Sequence, residues 1–285
     1  GPPMATLDGS IQPPPPQWRG RGAADLAADG NLELHRAALR MFPTGPGTLR
    51  TRSDLPLGSG LGSSGALDVA LIAALAGARG EDLEPEEIAA LGWHLEAVEA
   101  GMPGGRQDQY AAALGGFHRL TFHGDDVGIE RLSLDPEFLE QLRRRIVICY
   151  TGRSRISGDT IARVMSAYEQ GDGTVSRALH EMISIADLMT GALRAGDLAR
   201  VGELLSANWV CQQRLDQGMC TEEMAVLESA MRDAGALGGK AAGAGAGGAM
   251  FFLMGDDVEA GHAAAVRSGS RLLDAGWSTT GVERC

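Results

Sequence analysis

The densest apolar run of the chain occupies residues 66–78, where Ala, Leu, Val and Ile fall on every side of a helical projection and predict a helix buried all round. Ahead of it, 48–54 (TLRTRSD) alternates like a strand. An earlier helix over 23–42 is carried by Leu26, Leu32, Leu34, Ala37, Ala38, Leu39 and Phe42, with Asp29-Gly30-Asn31 interrupting it. Pro85, preceded by Glu84, opens a helix that runs toward Ala100 and stops at Gly101. A short Ala-rich helix follows Asp108, then a strand pair over 117–122 and 129–134 about the turn 123–126, a helix over 136–143 and a buried strand over 145–151. The second half reads as helices over 159–169, 175–195, 197–215 and 221–234, a strand over 249–254, a helix over 258–268 and a last strand over 276–282. Strands and helices interleave in both halves, which predicts an α+β fold of two lobes, 23–144 and 145–285. A Pro/Gly-rich tail, 1–22, precedes them, and its proline run 13–16 supports neither a helix nor an inner strand.

Composition narrows the function classes. A chain of 285 residues, 44% hydrophobic, buries a sizeable core, and 41 glycines against 5% aromatics favour helices packed through small residues and glycine loops. The net charge of -12 argues against nucleic acid as a main partner, while a small anion in a locally basic pocket stays open. Cys149, Cys211, Cys220 and Cys285 show no CxxC pair and no zinc-ligand spacing, and read as thiols of a reducing compartment. With no apolar run of about 18 residues and no secretory signal, the expectation is a cytoplasmic protein without a membrane partner.

The candidate chemistry starts where the apolar helix begins. In PLGSGLGSSGA (56–66), Gly58, Gly60 and Gly62 permit positive φ and close approach of backbone N–H groups to one anion, and Ser63 and Ser64 stand at the helix start. Pro56, Ser59 and Leu61 complete the loop. An ordinary glycine turn with a serine cap is the alternative. A second glycine-rich stretch, 238–248, runs into the strand at 249, and its glycines, Gly243 and Gly245 among them, would bring backbone close to the first loop; Lys240 is an isolated cation there. Asp108, in Gly104-Gly105-Arg106-Gln107-Asp108-Gln109, is either a helix N-cap or a carboxylate placed to accept a proton from a substrate hydroxyl. Glu96 and Glu99 share a helix face and read as solvated carboxylates unless Glu96 faces the serine hydroxyls as a magnesium ligand. Arg153 and Arg155 follow a buried strand and either hold an anion or lie solvated.

Three of these stretches together resemble one family, the GHMP small-molecule kinases: PLGSGLGSSGA at 56–66, GGRQDQYAAALGGF at 104–117 and AGALGGKAAGAGAGGAMFF at 234–252. The last two, with TGRSRISGDTI at 151–161, resemble more narrowly its D-glycero-D-manno-heptose 7-phosphate kinase branch. The resemblance implies an N-terminal lobe like ribosomal protein S5 and a ferredoxin-like C-terminal lobe. It also implies ATP phosphates cradled by the loop from Gly58 to Ser64, Mg²⁺ held by Ser64 or Ser63 with Glu96, and Asp108 as catalytic aspartate. Arg106, Gly105, Gln107, Arg153, Arg155 and Lys240 become candidates for phosphate or sugar contacts, and Gly243 and Gly245 for closure over the phosphates. Implied partners are a nucleotide and a sugar phosphate, with a homodimer as a further expectation. The family's first strand and its Gly-Gly-Gly-Thr-Asp segment have no counterpart in residues 1–40.

Overall fold

A computed structural model describes residues 17–20, 32–56, 58–102, 104–152, 158–274, 276 and 278–283. The first half contains β1 (Gln17–Gly20), α1 (Glu33–Met41), β2 (Gly47–Arg50), α2 (Ser63–Ala78), α3 (Pro85–His94), α4 (Gln107–Leu114), β3 (His118–His123) and β4 (Asp126–Arg131). The second contains α5 (Pro136–Arg145), β5 (Ile146–Tyr150), α6 (Gly158–Glu169), α7 (Gly173–Ala195), α8 (Leu198–Gln213), α9 (Glu222–Asp233), β6 (Ala236–Ala241), β7 (Ala249–Met254), α10 (Val258–Arg267) and β8 (Arg271–Leu273). β1 pairs with β2 and β3 with β4, while the other four strands form one antiparallel sheet in the order β6-β7-β5-β8.

Local chemistry explains most boundaries. Asp135, Asp172, Asp197, Thr221 and Asp257 each accept a first-turn N–H at the start of α5, α7, α8, α9 and α10. Glu84 and Glu87 form a reciprocal capping box around Pro85. One core gathers the buried faces of α1 to α4, among them Leu39, Leu71, Ile72, Ile88, Leu95 and Tyr110. The other clusters lie on the four-stranded sheet, with Trp209, Met224, Leu227, Met250 and Phe252 on one side, and Phe138, Leu142, Leu204 and Leu253 on the other.

Several sequence expectations need correction. Directly after the proline run, Gln17–Gly20 forms a strand that the sequence reading did not include, on a two-stranded ribbon with no further neighbour among the described residues. α2 is not buried all round: Ala66, Ala70, Ala74, Gly77 and Ala78 line an exposed stripe, because alanine is apolar enough to read as core yet small enough to face water. α3 does not run evenly to Ala100; it widens into a π turn over Leu95–Glu99, closed by Ala100 N–H donating to Leu95 O at 2.9 Å. The second glycine stretch is half strand, since Gly238, Gly239, Lys240 and Ala241 belong to β6 and only 242–248 is loop. The last strand is β8, and 278–283 instead crosses to the first half, where Val282 N–H donates to Ala113 O at 3.1 Å and Val282 packs on the first core.

Glycine in β6 answers to contact with α8. A Cβ on Gly238 would sit 1.7 Å from Gly202 O, and one on Gly202 2.6 Å from the Leu237 Cβ, so helix and strand meet at backbone distance. Gly238→Ala is expected to cost about 3 kcal/mol of unfolding free energy, since an overpacked core must move backbone. Chemical denaturation measures it, and an unchanged midpoint would refute the contact.

Candidate active site

The two glycine loops meet. Ala249 N–H donates to Ser59 O at 2.7 Å, so β7 begins on the first loop, and Thr151 at the end of β5 donates its N–H and its hydroxyl to Gly248 O, each at 2.9 Å. A Cβ on Gly60 would lie 2.7 Å from Ala242 O, one on Gly243 2.9 Å from Gly60 O, and one on Gly248 2.6 Å from Ser59 O. Gly58, Gly60, Gly62, Gly243, Gly245 and Gly248 all have φ between 60° and 80°. From behind, Gln212 Nε2 donates to Gly243 O at 2.9 Å and Ala246 N–H to Met219 O at 2.7 Å. Of the first loop, Leu57 lies outside the described residues, Pro56 and Leu61 are half-buried, and Ser59 is fully buried with an Oγ that has no hydrogen-bond partner.

Gly62, in the left-handed region, caps α2. The first turn of the helix therefore presents free N–H groups, and its dipole, to the loop's open side. Ser63 turns a buried, unpartnered Oγ inward and Ser64 is exposed. Against this helix end sits α4, so closely that a Cβ on Gly65 would lie 2.8 Å from the Asp108 Cβ. The Asp108 carboxyl carbon would be 3.5 Å from a Cβ on Gly62. Asp108 is not the N-cap of α4, a position held by Arg106; it is the second helical residue, and no backbone N–H is capped by its side chain. The carboxylate lies beside the phosphate-type loop instead.

Glu96 turns inward from the π turn. Its Oε2 accepts from Gln109 Nε2 at 2.7 Å, and the same amide nitrogen donates to Asp68 Oδ2 at 3.1 Å. Glu99 goes the other way, to Arg40 and His94 at the surface. Asp68 and Gln109 have no exposed surface. Burial, then the charge of Glu96, push the Asp68 carboxyl up to about 8 against the opposing Gln109 hydrogen bond. Asp108 is raised by the same two causes in the same order. Neither shift has an arginine or lysine among its causes, so among the described residues no basic side chain offsets the negative charge crowded there.

That surplus, together with the unpartnered hydroxyls of Ser59 and Ser63, suits a divalent cation. Among the described residues no group of three or more His, Cys, Asp or Glu closes a cage by itself.

The other sequence candidates fare differently. Arg106 stacks over the Trp93 ring at 4.2 Å and pairs with Asp125 at the β3–β4 turn, so its guanidinium is already engaged. Gly105 and Gln107 are exposed beside it. Lys240 is in β6 opposite Phe251 rather than in the loop; it is half-buried, and burial lowers its pKa. Arg153 and Arg155 lie outside the described residues. Asp68 and Gln109 were not among the sequence candidates; the available signal was one carboxylate inside the Ala/Leu/Val/Ile run of α2.

A glycine loop capping a helix, a second loop bonded to it and a carboxylate at the helix end define the class as small-molecule phosphotransferases. Family comparison agrees: the GHMP kinases N terminal domain matches residues 31–116 and the GHMP kinases C terminal domain residues 189–268. The chain is 32% identical, over 80% of its length and 69% of the relative's, to D-glycero-alpha-D-manno-heptose 7-phosphate kinase of Campylobacter jejuni. It is 33% identical to mevalonate kinase of Thermococcus sibiricus over 72% of its length, spanning 59% of that enzyme. The galactokinase of Lactococcus lactis, solved with galactose, shares the fold at a TM-score of 0.73 and 20% identity, over 91% of this chain and 77% of that one. The chain belongs to the GHMP kinase family.

Asp68 carries a linkage consequence. Its folded pKa lies above the unfolded value, so between about pH 4 and about pH 8 the folded chain holds the extra proton and stability falls as pH rises. In EDTA, Asp68→Asn should flatten that decline, which for one group approaches about 1.4 kcal/mol per pH unit. Thermal melts across the range measure it, and parallel slopes for variant and wild type would refute the burial of a titrating carboxyl.

Proposed function

We propose that this protein is an ATP-dependent sugar kinase that phosphorylates the anomeric hydroxyl of a heptose 7-phosphate. The observation that carries the phosphoryl-transfer part is the Asp108 carboxylate lying against Gly62 and Gly65, at the helix end where the glycine loops meet. The heptose part is supported by the 32% identity to the Campylobacter jejuni enzyme. The mevalonate kinase relatives match at similar identity, so mevalonate belongs in any panel of acceptors.

In this reading the N–H groups of the loop from Gly58 to Ser64 and of the first turn of α2 bind the ATP phosphates. Ser64 and Glu96 would hold Mg²⁺, which when bound neutralises charge on the phosphate oxygens. The loop containing Gly243 and Gly245, fixed from behind by Gln212 and Met219, covers the phosphates from the second lobe. Asp108 accepts the proton of the sugar hydroxyl as its oxygen forms the new P–O bond and the bond to ADP breaks. Its raised pKa makes it a stronger base than a solvated aspartate. Arg153 and Arg155 are assigned to the 7-phosphate on sequence grounds alone. Among the described residues no helix is long and apolar enough to cross a membrane, and a cytoplasmic location belongs to this proposal.

The test is coupled ADP release against heptose 7-phosphate, fucose, galactose, a C7 cyclitol and mevalonate. Turnover with heptose 7-phosphate above all others is expected, and preference for another acceptor overturns the substrate assignment. Asp108→Asn should lower kcat by about 10²-fold or more while ATP affinity stays within about threefold. In the wild type the acid limb of kcat/KM should lie above the ordinary carboxylate range, because activity is lost as pH falls through the raised Asp108 value. A wild-type kcat in Asp108→Asn would remove the residue from the mechanism.

A further inference from the structure

Gln109 sits one residue beyond the proposed base and is used by no step of the mechanism, yet its amide nitrogen is held from two sides. It is fully buried, and its amide nitrogen donates to carboxylates on two other segments, Asp68 of α2 and Glu96 of the π turn. The end of the amide that faces these two carboxyl groups is assigned as its nitrogen. The fold makes room for it: a Cβ on Gly92, in the last turn of α3, would lie 3.3 Å from the Gln109 Cγ and 3.4 Å from the Asp68 Cβ. A glycine there costs α3 about 1 kcal/mol of helix propensity relative to alanine. It lets three helices converge on one amide.

We propose that Gln109 is a positioning residue for the divalent-cation site: its carboxamide, anchored on buried Asp68, fixes the Glu96 carboxylate while leaving that carboxylate's charge free for the cation. A lysine or arginine in its place would hold Glu96 as firmly but neutralise it. An amide has the donors without the charge. The π turn carries both carboxylates of this segment, with Glu96 on the amide and Glu99 beside Arg40 and His94. This inference rests on the kinase reading and deepens it.

The experiment is calorimetric titration of the full chain with ADP, in EDTA and over a series of MgCl₂ concentrations, for the wild type, Gln109→Met and Gly92→Ala. Wild-type ADP affinity rises with Mg²⁺. Each variant should need about tenfold more Mg²⁺ for half of that gain, the scale typical of residues that orient metal ligands, with affinity in EDTA within about twofold of wild type. Gly92→Ala decides the matter if Gln109→Met fails to fold, because alanine favours the helix while its methyl group crowds the amide. An unchanged Mg²⁺ requirement in a folded variant overturns the positioning role and leaves the kinase reading intact. A wild-type chain that binds no ADP overturns the kinase reading and this role together.

Discussion

A backbone hydrogen bond from Ala249 N–H to Ser59 O joins β7, an inner strand of the four-stranded sheet, to the loop that opens α2, and the site exists because that contact is made at main-chain distance. Side chains would prevent it. Gly60, Gly243 and Gly248 stand where a Cβ would fall within 3 Å of a carbonyl oxygen of the opposite loop. The positive φ of each is the second reason for glycine, but the closeness alone requires it. The consequence is a shared wall: the first loop supplies the helix end and its N–H groups, and the second supplies a cover held by Gln212 and by Met219 O.

From that wall the rest of the site follows by packing. Gly65 lets α4 press on α2 and so sets Asp108 against the loop, and Gly92 lets α3 approach both. The convergence buries Asp68 and Gln109 completely and brings Glu96 into contact with the amide. Burying carboxylates is unfavourable, and Asp68 and Asp108 register this as raised pKa values. Such a cluster is easier to understand as half of a site than as a stabilising feature, because an added cation relieves the repulsion that the fold alone leaves in place.

The order of elements was legible because caps and periods are local. The helix starts read at 136, 175, 197 and 221 fall within two residues of those in the structure, where Asp135, Asp172, Asp197 and Thr221 are the caps. The glycine loops were legible as close-approach turns before α2 and β7, although an ordinary glycine turn with a serine cap reads the same way at the first of them. What escaped was set by tertiary contact. Gly238 and Gly239 read as loop because strand interiors seldom hold paired glycines, and only the approach of α8 to Gly238 and of the Phe252 ring to Gly239 explains them. Ala66, Ala70 and Ala74 read as core because composition cannot tell a covered alanine from an open one. The segment 276–282 read as a last strand, whereas Ser278 and Val282 bond Gly116 and Ala113 in the other half of the chain.

Glu96 and Glu99 show where sequence reasoning meets its limit and physics takes over. Three residues apart, both project from one face of a regular helix, and the pair reads as solvated. One extra residue in the turn, marked by Ala100 bonding back five positions to Leu95, breaks that equivalence: Glu96 meets an amide in the interior and Glu99 meets Arg40 and His94 outside. A π turn has weaker hydrogen-bond geometry than the α-helix it interrupts and survives where something else favours it. Here the Gln109 amide, buried between Asp68 and Glu96, gives the Glu96 carboxylate an interior partner within that turn.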